Sequence, residues 1–223
     1  MLEDLLKPIK ALDEEVLRQY TKLSQKYHLD EGKKKYAVGY GFGVVGFTFY
    51  YLLKPHFPYI SYLELPMDHP IFTIGSSTLL FGTMVDSIHT GYGMFFKSSL
   101  SENTNIKTVD KFESLCKKIT TPLRLPTLLY SGFNAAMAIS EIYTAVHDNK
   151  SFSPESYFYL EESIFFASMA SSMYIKDTDP KLLQKDPLWK RMYTGAKEKV
   201  SALIPHPAPQ PHPIPLSYDR STP

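Results

Sequence analysis

The chain lacks the composition of several protein classes. Cys116 is the only cysteine among 223 residues, which excludes a disulfide-stabilised scaffold. The 11 glycines are far too few for a collagen repeat. The 24 basic and 23 acidic residues leave a net charge of +1, so no overall field favours nucleic acid or an acidic substrate. The mean hydropathy of −0.20 is compatible with an ordinary globular protein, and the sequence has no leucine-rich hydrophobic run.

Charged residues are nearly absent from four windows of the sequence. The windows cover residues 36–53, 70–96, 126–147 and 154–175. The only charged side chains within them are Asp86, Glu141, Glu155, Glu161 and Glu162. Each window is about as long as the ~20 residues that cross the ~30 Å hydrocarbon core of a bilayer. The pattern therefore predicts an all-α, polytopic membrane protein with a four-transmembrane-helix bundle over residues 36–175.

The distribution of basic residues favours the same topology. If all four windows cross the bilayer, successive loops lie on opposite sides of it. Almost every lysine and arginine near a window then falls on one side, and only Lys54 and Lys150 fall on the other. The positive-inside rule predicts that both termini lie on the cytoplasmic or organelle-interior side. A soluble helical bundle remains the alternative, because the overall hydropathy is low.

Residues 1–30 are expected to form an amphipathic helix on the inner side. Apolar residues recur there with an a/d-like spacing, and Pro8 is expected to end or kink the first turn. The polar face mixes acidic and basic side chains, which favours a protein partner over an anionic lipid surface. Packing of this helix on its own bundle is the alternative.

Three further segments lie outside the predicted spans. Residues 97–125 are expected to form a basic inner loop with a short helix. Residues 176–203 predict basic amphipathic helices beside the membrane. Their expected interfacial anchors are Trp189, Lys190 and Arg191. Residues 204–223 are rich in proline, which predicts an extended or disordered tail.

The start of the fourth window carries a clear helix signal. Ser153 is a typical N-cap, Pro154 suits the first helical position, and Glu155 suits the positive end of the helix dipole. We therefore expect the fourth helix to begin at residue 154.

Small residues recur at helical spacing in two of the predicted spans. Gly39, Gly43 and Gly46 share one face of the first span. A second set, in the third span, consists of Gly132, Ala136 and Ser140. Side chains this small let neighbouring helices approach closely, so both sets predict helix-packing faces within a bundle or a homo-oligomer.

The stretch 41–46 also matches the G-x-G-x-x-G dinucleotide motif. That motif works only between a strand and a helix in a βαβ unit. Here it lies inside an uncharged run, and no alternation of strands and helices follows. We therefore expect neither a nucleotide nor a nucleic acid as a ligand.

Ionisable residues inside the predicted spans are candidate functional groups, because charge is costly at membrane depth. Asp86 and His89 are three residues apart, so they share a helix face and are candidates for an acid–imidazole pair. The other candidates for an intramembrane polar or ion path are Glu141, Glu161 and Glu162. At ~1.5 Å per residue, the pair lies roughly 15 Å or more from the glutamates. This separation argues against one shared metal site.

These residues leave three interpretations open. The side chains reach water or a neighbouring helix, they form a proton or ion path, or Asp86 and His89 form a small catalytic site. One aspartate and one histidine supply only two of the three or four ligands of a zinc site, so we expect no metal and no cofactor. Cys116 is followed by Lys117 and Lys118, which predicts a lowered thiol pKa, but no pattern around it suggests a nucleophile.

The sequence contains no catalytic constellation and resembles no family closely enough to name one. We therefore predict a non-enzymatic integral membrane protein with a structural, scaffolding or assembly role. Its expected partners are the lipid bilayer and either other proteins or further copies of the chain, contacted through the inner-side helices and the tail. The alternative is a small channel, transporter or ion-coupled carrier that uses Asp86, His89 and Glu141.

Overall fold

The computed structural model describes residues 2–29, 33–56, 70–96 and 106–203, and within these ranges the regular structure is entirely helical. The α-helices are α1 (Leu2–Lys26), α2 (Lys34–Leu53), α3 (Pro70–Gly91), α4 (Ile106–Thr120), α5 (Arg124–His147), α6 (Pro154–Lys176) and α7 (Leu188–Leu203). The all-α class is therefore confirmed for the described residues. The four uncharged windows correspond to α2, α3, α5 and α6.

The chain divides into two compact units, Met1–Lys185 and Asp186–Pro223. The first unit contains α1 to α6 and forms the helical bundle. The second contains α7, whose first turn is closed by a hydrogen bond from the Arg191 amide to the Pro187 carbonyl (3.0 Å). The proline-rich tail, 204–223, lies outside the described residues, as does 97–105 of the predicted basic loop.

α6 is the central helix of the bundle, and its second half is buried on nearly all sides. It begins where the sequence predicts. The Ser153 side chain accepts a hydrogen bond from the Ser156 amide (3.2 Å), and Pro154 occupies the first helical position. This cap satisfies one of the free amides at the helix start.

α2 and α5 run antiparallel to α6. On α2, Gly39 lies beside Ser172 near the end of α6, whereas Gly46 lies beside Ser168 one turn earlier. On α5, the Tyr130 ring packs edge-on against the Phe166 ring, with centroids 4.9 Å apart. The start of α5 lies beside the end of α6, because Arg124 at that start is bonded to Asp177 just after α6 (2.8 Å).

α3 runs parallel to α6. Leu79 packs in one apolar cluster with Phe165 and Phe166, and Asp86, two turns later on α3, is bonded to Ser172. In chain order, the four helices α2, α3, α5 and α6 therefore alternate in direction. One end of the bundle collects the starts of α2 and α5 and the ends of α3 and α6.

This end, which we call the basic end, carries most of the lysines and arginines that flank the four helices. They include Lys33, Lys34, Lys35, Lys117, Lys118, Arg124, Lys176, Lys181 and Lys185. Lys54 follows the end of α2, and Lys150 follows the end of α5, so both lie at the opposite end. The helix directions thus reproduce the charge asymmetry that the sequence predicts.

The bundle buries charged side chains and exposes large apolar ones. The charged residues that are at most 6% exposed are Asp86, Arg124, Glu161, Glu162 and Lys176. Large apolar or aromatic side chains that are more than a third exposed occur along α2, α3 and α5. They are Tyr40, Val44, Val45, Phe47, Phe49, Tyr51, Leu52, Ile74, Leu80, Phe81, Met84, Ile88, Leu129, Phe133, Ile139, Tyr143 and Val146. A protein that is stable in water normally shows the opposite distribution.

Within the described residues, α2 is the only helix that is both long and apolar enough to cross a membrane by itself. α5 and α6 are 24 and 23 residues long, but their serines, threonines and glutamates lower their hydropathy. The prediction of four spans is therefore supported only in part, as a helical bundle with one candidate span.

α1 packs on its own bundle, which is the alternative that the sequence left open. Its Tyr20 ring stacks on the Tyr174 ring of α6, with centroids 5.0 Å apart. The helix continues through Pro8, so the first turn does not end at this residue. Its buried residues are Leu17, Thr21 and Ser24. Its exposed apolar residues include Ile9, Leu12 and Leu23, and Tyr27, directly after the helix, is exposed as well.

Candidate functional site

A cavity of about 390 Å³ lies between α2, α3 and α6. This volume falls in the range of ~300–1,000 Å³ that is typical of small-molecule sites. The apolar and aromatic walls include Tyr40, Val44, Phe47, Tyr51 and Met169. The polar end is formed by Asp86, Ser87 and Thr90 from α3 and by Ser172 from α6. The cavity thus combines an apolar body with a polar end that contains one carboxylate.

A buried ion pair lies at the polar end. Lys176 of α6 donates to Oδ1 of Asp86, and the two side chains are 3% and 1% exposed. The same ammonium donates to the Asp86 carbonyl (3.1 Å) and to the Thr90 hydroxyl (2.5 Å). The Ser172 hydroxyl donates to Oδ2 of Asp86 (2.8 Å). These bonds engage all three hydrogens of the ammonium and both carboxylate oxygens, as burial of an ion pair requires.

The spacing of these residues explains how they meet. Asp86 and Thr90 are four residues apart on α3, and Ser172 and Lys176 are four apart on α6, so each pair occupies one helix face. Because α3 and α6 run parallel, the two faces match in register. Gly39 of α2 closes the third side, since a Cβ at this position would lie 3.0 Å from Oγ of Ser172. The missing side chain lets α2 approach.

His89 is buried one turn further along α3, at 2% exposed. The Asp86 carboxylate takes its hydrogen bonds from Lys176 and Ser172, so its partner is the lysine rather than the predicted imidazole. The His89 ring packs edge-on against the Tyr36 ring, with centroids 5.7 Å apart. The Asp86 carboxylate, which the sequence places beside an imidazole, therefore has the Lys176 ammonium as its ion-pair partner.

Tyr36 connects α2 to two other segments at the basic end. Its hydroxyl donates to Oε1 of Glu113 on α4 (2.6 Å). Its ring fills the space beside Gly93 in the π-helical turn Tyr92–Phe96, where a Cβ would lie 2.2 Å from Cδ1 of Tyr36. Gly93 could not be predicted as a packing residue, because no small residue accompanies it at helical spacing.

The predicted glutamates lie away from the ion pair. Glu161 and Glu162 are buried in the first half of α6, at 0% and 2% exposed, and Glu141 is half-buried on α5. The Tyr130 hydroxyl is hydrogen-bonded to Glu162. An apolar cluster occupies the level between these glutamates and Ser172. It consists of Leu79, Phe165, Phe166 and Met169. The ionisable residues along the buried part of α6 therefore form two groups, and this apolar layer lies between them.

A second buried cation, Arg124, joins three segments of the chain. Its Nη2 and Nε donate to Asp13 of α1 (2.5 and 2.9 Å), and its Nη1 donates to Asp177 (2.8 Å). The Tyr174 hydroxyl also donates to Asp13 (2.8 Å). Burial by itself lowers the pKa of Arg124, but the hydrogen bond and the charge of Asp13 outweigh it and raise the pKa above its ordinary value. In the sequence, Arg124 is distinguished from the other cations near the predicted spans by no local pattern.

The two small-residue sets have different surroundings. Gly39 and Gly46 are buried against α6, and a Cβ at Gly43 would lie 4.0 Å from Cε of Met169. The first set therefore faces α6. The second set is exposed on the surface of α5, and consists of Gly132, Ala136 and Ser140. A Cβ at Gly132 would meet no described atom within 4 Å, so this face has no helix neighbour among the described residues.

Cys116 is buried in α4, at 3% exposed. The expectation that Lys117 and Lys118 lower its pKa is wrong. Burial raises the pKa of the Cys116 thiol, and the positive charge of Lys176 offsets only part of this effect. Lys117 and Lys118 are exposed, so water screens their charges.

The predicted interfacial anchors lie in the first turn of α7. The Trp189 side chain is 69% exposed, and Lys190 and Arg191 are exposed as well. Lys190 donates to Asp186 one turn earlier (2.8 Å). Met192 and Tyr193 extend the exposed apolar surface of this helix.

No group of three or more His, Cys, Asp or Glu side chains that could hold a metal ion occurs within the described residues. No protein-family model, curated protein or solved structure matches the chain.

Proposed function

We propose that the chain is a four-pass membrane protein with a structural or assembly role. The observation that carries this proposal is the distribution of side chains. α2, α3 and α5 expose large apolar residues, whereas Asp86 and Lys176 are buried. In water, each exposed large apolar side chain lacks the roughly 1.5–3 kcal/mol of stabilisation that its burial would provide. In hydrocarbon the same surface is favourable, and ionisable groups face the bundle interior.

The helix directions support the proposed topology. α2, α3, α5 and α6 alternate in direction, as four consecutive spans must. The basic end would lie on the cytoplasmic or organelle-interior side, because positive residues accumulate there. Lys54 and Lys150 would then lie on the opposite side, and both termini on the inner side.

Two outer surfaces favour a structural role. The exposed small-residue face of α5 suits a second transmembrane helix, since small side chains allow close backbone approach. The exposed apolar face of α7 suits a protein partner or the membrane interface. α1 contributes less to partner binding than the sequence suggests, because one of its faces already packs on α6.

Crosslinking in native membranes tests the proposed role at α5. Gly132→Leu and Ala136→Leu together fill the small-residue face. Gly41→Leu is the matched control, because Gly41 is exposed on α2 and a Cβ there would meet no described atom within 4 Å. We expect the α5 variant to lose the crosslinked species and the control to keep it. A wild-type chain that crosslinks to nothing and migrates as a monomer contradicts the proposal.

A small channel or ion-coupled carrier is the second candidate function. The cavity beside Asp86 favours it, since an acidic group at a cavity is a common ion-coupling element. The apolar layer around Phe165 separates this group from Glu161, so transport would require α6 or its neighbours to move. In proteoliposomes, pH-dependent flux that is lost in Asp86→Asn and Glu141→Gln supports transport. Flux equal to that of protein-free liposomes excludes it.

A further inference from the structure

We infer that the cavity between α2, α3 and α6 binds a small amphiphile whose head group donates hydrogen bonds, namely a long-chain alcohol or amine. This site goes beyond the structural role proposed above. The binding chemistry depends only on the residues that line the cavity. Entry from the bilayer is the one step that rests on the proposed membrane topology.

The polar end of the cavity offers acceptors to a ligand. The Ser172 hydroxyl hydrogen is given to Asp86, and the Thr90 hydroxyl hydrogen is given to the Asp86 carbonyl (2.7 Å). The Ser87 hydroxyl donates to the Thr83 carbonyl (2.9 Å). Each hydroxyl has a single hydrogen, so these three residues present only oxygen lone pairs to the cavity. A head group that binds beside these three hydroxyls must therefore supply the hydrogens.

The ion pair also determines which hydrogen bonds a head group can form at this end. All three hydrogens of the Lys176 ammonium are engaged by Asp86 and Thr90, so none remains for an anionic head. The carboxylate of Asp86 still has acceptor capacity, since a carboxylate offers about four lone-pair sites. A carboxylate or phosphate head at Asp86 would meet a second negative group, and the Lys176 ammonium would have no hydrogen left for it. An alcohol or ammonium head would add a hydrogen bond to Asp86.

The walls of the cavity match an apolar body. Val44, Phe47 and Met169 line it above the polar end. Val44 and Phe47 are each 47% exposed, so the cavity opens to the side of the bundle beside α2. A ligand would place its head at Asp86 and its chain along this opening.

Photolabelling of the full-length protein in lipid nanodiscs tests the site. The probes are dodecanol, dodecylamine and dodecanoate, each with a diazirine in the chain and an alkyne tag. We expect the alcohol and the amine to label peptides of α2 and α6 saturably. The carboxylate of dodecanoate has no hydrogen to donate. We therefore expect dodecanoate to label these peptides about ten-fold more weakly than dodecanol does.

Two variants block the cavity in different ways. Gly43→Leu fills it from a glycine that lines it, and Val44→Trp fills it from a partly exposed wall residue that tolerates a larger side chain. Gly41→Leu on the exposed side of α2 is the matched control. We expect both cavity variants to lose saturable labelling and the control to keep it.

Two results overturn the inference. The first is labelling of both Gly43→Leu and Val44→Trp at the wild-type level. The second is labelling by dodecanoate that equals labelling by dodecanol. Neither result bears on the crosslinking experiment at α5. The ligand site can therefore be refuted while the structural role stands, and the structural role can be refuted while the ligand site stands.

Discussion

Lys176 and Asp86 form an ion pair across the parallel helices α6 and α3, and their side chains are only 3% and 1% exposed. Burial of two charges costs desolvation free energy, which is recovered only when the hydrogen bonding is complete. Here Thr90 and Ser172 supply the remaining partners. We therefore expect the pair to fix the register of α3 against α6 more than it adds to the net stability.

A double-mutant cycle tests this interpretation. Asp86→Asn alone is expected to destabilise the protein by about 3–5 kcal/mol, because the Lys176 ammonium stays buried without its counter-ion. Lys176→Met alone leaves the carboxylate unpaired and is expected to cost a similar amount. The double variant is expected to recover most of the loss. Unfolding of the wild type, the two single variants and the double variant in detergent measures the coupling free energy between the two side chains.

An exposed ion pair provides the control for this cycle. Lys150 donates to Asp148 at the opposite end of the bundle (2.8 Å), with side chains 71% and 37% exposed. Asp148→Asn is expected to change the free energy of unfolding far less than Asp86→Asn does, because water screens the exposed pair. Additive losses in the Asp86 and Lys176 variants would show that the buried pair is not coupled.

Arg124→Lys is expected to weaken the attachment of α1 to the rest of the bundle. Lysine keeps the charge but not the planar, multidentate geometry, so it is not expected to bridge Asp13 and Asp177 together. Each lost hydrogen bond to a charged group is worth about 1.5–3 kcal/mol. Hydrogen–deuterium exchange of α1 amides should accelerate in this variant. The control is Arg191→Lys on the exposed first turn of α7, and equal exchange in both variants refutes the proposed anchor.

Alanine substitutions should distinguish glycines that pack against a neighbouring side chain from glycines that face open space. Gly93→Ala places a Cβ against the Tyr36 ring, and Gly39→Ala places one 3.0 Å from Oγ of Ser172. We expect each to lower stability by about 1–3 kcal/mol through overpacking. Gly41→Ala meets open space and should be neutral or slightly stabilising. Thermal melts of the three variants give the comparison, and a loss in Gly41→Ala as large as in the other two contradicts it.

Cys116 should react slowly with maleimide in the folded protein. Burial limits access and raises the pKa of the thiol, so less of it is thiolate near neutral pH than in an exposed cysteine. The labelling rate should rise at a higher pH than the rate of an exposed thiol does, because the raised pKa shifts thiolate formation to higher pH. Lys118→Cys in a Cys116→Ala background is the exposed control. Identical pH profiles for the two thiols would show that the pKa of Cys116 is not raised.

The local features of the fold follow from the sequence. The four uncharged windows match α2, α3, α5 and α6, and Ser153 with Pro154 marks the start of α6. The spacing of Gly39 and Gly46 identifies the face of α2 that meets α6. These features depend on helical periodicity and capping, which act over a few residues.

The partners of the buried charges do not follow from the sequence. Lys176 and Arg124 lie one and two residues outside their windows, so both look like solvated cations of the inner loops. Each is buried because its helix end is covered by other segments, Arg124 by α1 among them. Likewise, helical spacing alone does not show that Gly132 faces outward whereas Gly39 faces α6. Such contacts join residues far apart in the chain.

The four-span topology is tested most directly by cysteine accessibility in sealed vesicles. Single cysteines replace Lys54 and Lys150 at one end of the bundle and Lys117 and Lys185 at the basic end, all in a Cys116→Ala background. With a membrane-impermeant maleimide, Lys54→Cys and Lys150→Cys should be labelled from one side, and Lys117→Cys and Lys185→Cys only from the other. Labelling of all four from the same side, or of Lys54→Cys and Lys150→Cys from opposite sides, contradicts the four-pass bundle.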